Sequence, residues 1–266
     1  MRRIKIAIYG ALGRMGQTLV DALCREPDMQ IVGAVDIKAA GDKLALPDGS
    51  GTVPLSQNLE PILTIGQPEV VVDFSTASAV MPAVRLTAEQ EVNLVIGTTG
   101  LTTDDIKEID RLAQAHRVGV VVAPNFALGA VLMMHLAKIA AKYFDFAEII
   151  ELHHHLKADA PSGTALSTAR AMAQARGKPF SIPPGKASAG RGEKVEGISI
   201  HSVRLPGLLA HQEIMLGGPG QTLKIRHDQI SREAFMPGVM LAIREVVKHK
   251  GLIYGLETLL GLEKEP

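Results

Sequence analysis

Short runs of consecutive apolar residues alternate with longer amphipathic segments over the first half of the chain. The apolar runs predict five strands, at residues 4–9, 30–36, 70–74, 92–96 and 119–123. The amphipathic segments predict three helices, near residues 13–25, 78–90 and 102–115. The apolarity of the runs is continuous, as in strands that are covered on both faces. This order of elements predicts a doubly wound α/β fold of the Rossmann type, with a mostly parallel sheet and right-handed crossovers.

The pattern changes after about residue 128. A long helix, a strand, a second helix and three alternating strands are predicted, at residues 128–143, 147–155, 162–175, 198–205, 211–217 and 221–228. Residues 177–197, rich in Gly, Pro, Lys and Ser, are typical of a mobile loop. Strands that follow one another without long helices predict a second α+β lobe with a mixed, open sheet. We place it at residues 128–236 and the first domain at residues 1–127, to which residues 237–266 return as helices.

The composition excludes several classes of partner. The 28 Lys and Arg balance the 28 Asp and Glu, and Trp is absent, so we expect no nucleic-acid partner. The N-terminal apolar run is too short for a signal peptide, and no run reaches the roughly 18 residues of a membrane span, so we expect no membrane partner. The one cysteine, Cys24, is predicted to be a structural thiol within the first helix, and its being alone indicates a reducing compartment. We therefore expect a cytoplasmic protein.

A glycine turn joins the first strand to the first helix. Gly10, Gly13 and Gly16 would let the backbone approach a pyrophosphate at the helix N-terminus. Their spacing is not the usual G-x-G-x-x-G, and by itself it is also compatible with a plain turn. Asp36, 20 residues past Gly16 at the end of the second strand, is placed to accept a hydrogen bond from a ribose 2′-hydroxyl, which favours NAD. Lys38 could attract a 2′-phosphate instead, so the cofactor preference stays open.

Three other strand ends carry small or hydroxyl-bearing residues, at residues 74–76, 97–100 and 123–126. In an open parallel sheet, ligands bind outside the carboxyl ends of the strands. The agreement of these three ends with the glycine turn predicts a cofactor groove.

Residues 151–165, with the sequence ELHHHLKADAPSGTA, place three histidines and Lys157 before a predicted helix start. Ser162 is suited to cap that helix, and the free N–H groups of Gly163 and Thr164 could bind a carboxylate. One interpretation is a polar strand end with solvated histidines. A second is a metal site at His153 and His155, although no cysteine lies nearby to complete it. A third is a site for an anionic substrate with proton transfer, because imidazole titrates near neutrality.

This segment matches every fixed position of the pattern E-x-H-x-x-x-K-x-D-x-P-S-G-T-A, and the segments GRMG, VIGTTG and APNFALG occur in the expected order. With these motifs the chain resembles the dihydrodipicolinate reductases over residues 4–262. The resemblance implies reduction of a small cyclic dicarboxylate by NADH or NADPH, on the diaminopimelate route to lysine. It also implies a dinucleotide-binding first domain, a second domain for substrate binding and oligomerisation, and a homotetramer, with no metal.

The resemblance also implies roles for individual residues. His153 corresponds to the proton donor and Lys157 to a second catalytic residue. The substrate contacts it implies are His154, Ser162, Gly163 and Thr164. The cofactor contacts, with Lys38 added from its position, are Gly10, Ala11, Leu12, Gly13, Arg14, Met15, Asp36, Lys38, Gly97, Thr98, Thr99, Ala123, Pro124, Asn125 and Phe126. Ile37 stands where some members have Arg, which weakens the case for an NADP preference.

Three other functions would use parts of the same sequence pattern. An aldehyde dehydrogenase of two domains would need a nucleophilic cysteine, and Cys24 is badly placed for that role. A dinucleotide sensor without catalysis would keep the glycine turn but would have no use for the His–Lys segment. A metal hydrolase could use the three histidines, and its activity would be lost in strong chelator.

Overall fold

A computed structural model describes residues 2–184 and 189–262. The chain forms two compact units, of which one comprises Met1–Leu128 and Phe235–Pro266 and the other Gly129–Ala234. The C-terminal segment therefore belongs to the same unit as the N-terminal half. Within the described ranges, no helix is both long enough and apolar enough to cross a membrane.

The first unit is built on a sheet of eight strands in the order β13-β7-β6-β5-β1-β2-β4-β3. Every neighbouring pair is parallel except β3 and β4. Numbered in chain order, its strands are β1 Ile4–Tyr9, β2 Met29–Val35, β3 Lys43–Ala45, β4 Thr52–Ser56, β5 Val70–Asp73, β6 Asn93–Ile96, β7 Gly119–Val122 and β13 Gly251–Tyr254. The predicted doubly wound parallel sheet is confirmed.

The connections from β1 to β2, from β4 to β5, from β5 to β6 and from β6 to β7 each contain a helix. The helices of the unit are α1 Arg14–Leu23, α2 Leu59–Gly66, α3 Ala77–Glu89, α4 Thr103–Ala115, α7 Met236–Val246 and α8 Leu256–Leu259. Thr102 and Asp105 form a reciprocal capping box at the start of α4, which confirms the predicted N-terminus. The side chains of β5 are all buried, as continuous apolarity predicts for a strand covered on both faces.

Two parts of this unit differ from the sequence-based expectation. Residues 37–69 had no predicted elements, but they form β3, β4 and α2 and extend the sheet beyond β2. The segment from Pro237 was expected to be helical throughout, and this is wrong because residues 251–254 form β13. The short run GLIY has no strong strand pattern of its own, and its conformation comes from pairing in register with β7, Gly251 beside Gly119.

The second unit has a sheet of five strands in the order β12-β11-β8-β10-β9. Only β8 and β10 are parallel, so the predicted mixed sheet is confirmed. Its strands and the helices that precede and follow β8 are α5 Leu128–Ala141, β8 Phe146–His153, α6 Gly163–Arg176, β9 Glu193–Val195, β10 Ile198–Arg204, β11 Ala210–Gly218 and β12 Gln221–Gln229. The core contains fully buried side chains from β8, β11 and α6, such as Ile149, Ile214 and Met172.

The predicted loop at residues 177–197 is only partly irregular. It contains a 3₁₀ turn at Ala189–Arg191 and the edge strand β9, which pairs with β10. Residues 185–188 of that loop lie outside the described residues. Three residues are too few for the alternation that reveals a strand, so β9 depends on its neighbour for its conformation.

Candidate active site

The glycine turn at the end of β1 has no room for side chains at two positions. Gly10 has φ +87°, and a Cβ there would lie 2.5 Å from the carbonyl oxygen of Phe74. A Cβ on Gly16 would lie 2.1 Å from the carbonyl oxygen of Gly10. Gly13 is the N-cap of α1, and its N–H donates to the same Gly10 oxygen at 3.1 Å. The backbone is thus open to close approach by a ligand beside the free N–H groups of the first helical turn, as a dinucleotide pyrophosphate requires.

Asp36 binds the glycine turn through its side chain. One carboxylate oxygen accepts from the N–H of Leu12 at 2.9 Å, and the other accepts from the N–H of Lys38 at 2.9 Å. The residue is 7% exposed, whereas Ile37 beside it is 83% exposed. Each carboxylate oxygen keeps a lone pair for a further donor such as a ribose hydroxyl. The predicted position of Asp36 next to the turn is therefore what the structure shows.

The other predicted cofactor segments follow neighbouring strands. Gly97, Thr98 and Thr99 follow β6, and residues 123–126 follow β7, so both lie at the same edge of the sheet as the glycine turn. Backbone bonds connect successive strand ends here, including Gly97 N–H to the Asp73 carbonyl at 2.9 Å and Ala123 N–H to the Ile96 carbonyl at 3.1 Å. The rings of Phe74 and Phe126 meet in a tilted contact with centroids 5.9 Å apart.

Asp73, which had no predicted role, connects two of these loops. Its Oδ1 accepts hydrogen bonds from the Ser75 N–H at 2.7 Å, the Ser75 hydroxyl at 2.6 Å and the Thr98 hydroxyl at 2.9 Å. Its Oδ2 is buried and has no hydrogen-bond partner among the described residues. Burial raises the pKa of Asp73, and the bonds from Ser75 and Thr98 oppose this only in part. An acidic residue inside the otherwise apolar run VVVDF was the signal in the sequence.

In the second unit, Glu151 and His153 lie two residues apart on β8 and so project from the same face of the strand. Glu151 Oε2 lies 2.5 Å from His153 Nδ1. Arg204, paired with His153 in the register of β10 and β8, donates to both oxygens of Glu151, at 2.9 and 2.8 Å. The N–H of Ser162 donates to Oε1 at 3.2 Å. The carboxylate therefore receives bonds from three separate parts of the unit.

These bonds keep Glu151 charged although the residue is fully buried. Burial alone would raise the pKa of Glu151, but the hydrogen bonds from His153 and Arg204 outweigh it and lower the pKa from 4.5 to about 2. The His153 side chain stays 15% exposed, so the imidazole is accessible while its neighbour is not.

The turn between β8 and α6 and the first positions of α6 contain the remaining predicted groups, which follow His153 closely in the sequence. Lys157 Nζ donates to both carboxylate oxygens of Asp159, at 2.7 and 2.8 Å. Ser162 is the N-cap of α6, its hydroxyl accepting from the Ala165 N–H at 3.2 Å, which confirms the predicted helix start. Gly163 and Thr164 form the first helical positions, where backbone N–H groups have no carbonyl partner within the helix. An anionic group can be bound there.

The three histidines differ in their surroundings. The His153 ring is hydrogen-bonded to Glu151. The backbone N–H of His154 donates to the Leu209 carbonyl at 3.4 Å, and the His155 side chain is exposed. Across the part of the chain that the structure describes, no three His, Cys, Asp or Glu side chains come together as metal ligands. The geometry therefore gives no support to a metal site at this segment.

Sequence reasoning gave no role to Glu151 or Arg204, and it missed Asp73. Glu151 could have been found from its spacing, because residues i and i+2 of a strand share a face. Arg204 could not, because it lies 53 residues from Glu151 and reaches it only through the pairing of β10 with β8.

Cys24 follows the last residue of α1, and burial raises the pKa of its thiol, the opposite of what an activated nucleophile needs.

Comparison with known proteins identifies the family. A profile described as "Dihydrodipicolinate reductase, N-terminus" matches residues 4–126, and one described as "Dihydrodipicolinate reductase, C-terminus" matches residues 129–260. The chain belongs to the dihydrodipicolinate reductase family. The predicted family, and with it an oxidoreductase dependent on NADH or NADPH, is confirmed.

Individual relatives of the family are similar over their full length. A 4-hydroxy-tetrahydrodipicolinate reductase of Dehalococcoides mccartyi is 53% identical over 98% of this chain and 100% of its own, and one of Moorella thermoacetica is 48% identical over 97% and 98%. The solved structure of dipicolinate-bound dihydrodipicolinate reductase from Paenisporosarcina sp. TG-14 has a TM-score of 0.86 and 43% identity, covering 96% of this chain and 99% of that one.

Proposed function

We propose that this chain reduces 4-hydroxy-tetrahydrodipicolinate, which loses water to give dihydrodipicolinate, to tetrahydrodipicolinate in the diaminopimelate route to lysine. The proposal depends most on one observation: Glu151-bound His153, Lys157 and the capped start of α6 lie within one strand–turn–helix segment. Such a segment offers an acid, a cation and free N–H groups for a small dianion. The relatives named for this reaction, and the neighbour with bound dipicolinate, support the same substrate class.

The first unit would bind the dinucleotide. The glycine turn and the N–H groups of Arg14 and Met15 would bind the pyrophosphate, because a helix N-terminus attracts anions. Asp36 accepts from the adenosine ribose, and Lys38 lies beside it. The loops after β6 and β7, which contain the predicted contacts Gly97, Thr98, Thr99, Ala123, Pro124, Asn125 and Phe126, would hold the nicotinamide end of the cofactor. When bound, the reduced nicotinamide supplies the hydride.

The second unit would bind the dicarboxylate and supply the proton. Lys157 and the N–H groups of Gly163 and Thr164 hold the carboxylates, with His154 and Ser162 as further contacts. A substrate carboxylate takes the place of Asp159 on the Lys157 ammonium group. Once the 4-hydroxyl group has left as water, hydride adds to C4 of the resulting C3=C4 double bond and His153 protonates C3.

Initial rates with enzymatically generated substrate, measured separately with NADH and NADPH, test the reaction. General acid catalysis by one side chain is worth roughly 10²- to 10⁴-fold, so His153→Gln should lower turnover by about that factor and leave NADH binding unchanged. The exposed His155 gives a matched control, and His155→Gln should stay near the wild-type rate. Absence of turnover with both cofactors would exclude the reaction, and full turnover of His153→Gln would exclude its role as the acid.

We also propose that the protein is a cytoplasmic homotetramer that assembles through the sheet of the second unit. The family resemblance supports this arrangement. Light scattering coupled to size-exclusion chromatography should give a mass of four chains, and a monomer mass at micromolar concentration would contradict it.

A further inference from the structure

One buried carboxylate is the common partner of the groups around His153. Glu151 is 0% exposed, and its two oxygens accept from the Arg204 guanidinium on β10, from the Ser162 N–H before α6 and from the imidazole of His153 on β8. Arg204 also donates to the carbonyl of Asp159 at 2.7 Å. The turn that contains Lys157 is thus connected to the same cluster.

We propose that Glu151 is the positioning residue of this site: its carboxylate holds His153 with Nδ1 protonated, so that Nε2 is the nitrogen that donates the proton. The inference rests on the proposed function, because it assigns Glu151 a part in the same proton transfer. Glu151 acts through His153 and touches neither substrate nor cofactor.

The position of the hydrogen on the His153 ring follows from which atoms can donate a hydrogen bond. An ionised carboxylate only accepts hydrogen bonds, so the short contact of 2.5 Å requires the hydrogen on His153 Nδ1. The acid form of the ring then carries its second hydrogen on Nε2. During transfer the Nε2–H bond breaks and its electron pair stays on Nε2. The new C–H bond at C3 uses the electron pair of the C3=C4 π bond, which breaks as hydride adds to C4. The ring that remains is the neutral Nδ1–H tautomer, which still donates to Glu151.

Arg204 fixes the carboxylate as well as balancing its charge. A guanidinium that donates to both oxygens holds the plane of the carboxylate, and that plane determines how the imidazole lies. Buried ion pairs give weak net stabilisation compared with apolar residues of similar volume. A charged pair at this point is therefore better explained by the orientation of His153 and α6 than by stability alone.

The first measurement is the state of the His153 ring in the whole protein. ¹⁵N NMR of imidazole-labelled wild type should show the neutral form of the His153 ring as the Nδ1–H tautomer, with a downfield, hydrogen-bonded proton. In Glu151→Gln the downfield shift should shrink and the two tautomers should mix, because a neutral amide is a weaker acceptor than a carboxylate and its NH₂ group can donate to an unprotonated Nδ1. A wild-type ring found as the Nε2–H tautomer would overturn the proposal.

The second measurement is a double-mutant cycle on turnover. Carboxylates that orient a functional imidazole are worth about 10- to 100-fold or more, so Glu151→Gln should lower kcat by at least about 10-fold with the KM for NADH unchanged. In a His153→Gln background the same change should have little further effect. Equal, multiplicative losses in both backgrounds would show a merely structural role and overturn the proposal.

Glu148 on the same strand supplies a matched control. It also pairs with a histidine and an arginine, His201 at 2.9 Å and Arg191, but it does not contact His153. Glu148→Gln should leave kcat within about twofold of wild type. If Glu151→Gln fails to fold, Glu151→Gln combined with Arg204→Met removes both charges and enters the cycle instead.

The outcomes distinguish the hypothesis that His153 is the acid from the hypothesis that Glu151 positions it. Loss of turnover in His153→Gln with full turnover in Glu151→Gln overturns the role of Glu151 alone. Full turnover in His153→Gln overturns the proposed acid itself. A lowered kcat in Glu151→Gln that disappears in the His153→Gln background supports both.

Discussion

Protonation of Glu151 should destabilise the second unit at acid pH. Burial opposes its charge, but bonds from His153 and Arg204 dominate and lower its pKa in the folded chain from the ordinary 4.5 to about 2. A carboxyl whose folded pKa is lower than its unfolded pKa stabilises the fold above the unfolded value. That contribution is lost as pH falls from about 4.5 toward about 2.

The size of the effect follows from this interval. At about 1.4 kcal/mol per pKa unit, the ionised Glu151 contributes about 3 kcal/mol to the free energy of unfolding near neutral pH. By pH 3 about 2 kcal/mol of this is lost, and by pH 5 almost none. Asp159, in the turn before α6, also has a lowered pKa because of its hydrogen bond from Lys157, so only the difference from Glu151→Gln isolates the contribution of Glu151.

Peptide-resolved hydrogen exchange in a urea series measures this locally, which matters because the two units can unfold separately. Peptides from β8 and α6 of wild type should lose about 2 kcal/mol more between pH 5 and pH 3 than the same peptides of Glu151→Gln. Glu151→Gln should also be less stable at pH 5, since it leaves Arg204 without its charged partner. Identical pH dependence in the two proteins would refute the reasoning.

Three changes in the first unit have expected outcomes of their own. Asp73→Asn should raise the free energy of unfolding at pH 7, because burial raises the Asp73 pKa and the ionised form costs stability as pH rises through that value. Urea unfolding of both proteins at pH 5 and pH 7 checks the sign. A variant that is no more stable than wild type at pH 7 contradicts it. Gly16→Ala should weaken NADH binding about tenfold or more in a fluorescence titration, since its Cβ would lie 2.1 Å from the Gly10 carbonyl oxygen and overpacking costs about 1–3 kcal/mol. Ile37→Arg, at a position 83% exposed, should raise the ratio of kcat/KM for NADPH to that for NADH about tenfold through a charge-assisted bond to the 2′-phosphate; an unchanged ratio would place the 2′-phosphate elsewhere.

Periodicity predicted the elements that form their structure from local pattern. The strands β1, β2, β5, β6 and β7 were recognisable because apolar runs and glycine corners are local features. The predicted ends of these strands lie within one residue of the observed ends, so the cofactor segments were expected at one edge of the sheet. The edge strands β3, β9 and β13 were missed, because runs of three or four residues take their conformation from the strand they pair with.

The amino-acid sequence by itself determined the family, the parallel sheet and the order of acid, cation and helix cap in residues 151–165. It did so because spacing along a strand and capping at a helix start depend only on neighbours in the chain. Only the tertiary structure decided which charges meet. Arg204 reaches Glu151 through the register of β10 on β8, and Thr98 reaches Asp73 across two strand ends. Such contacts join residues 53 and 25 positions apart, and no local pattern specifies which distant side chain completes a buried carboxylate.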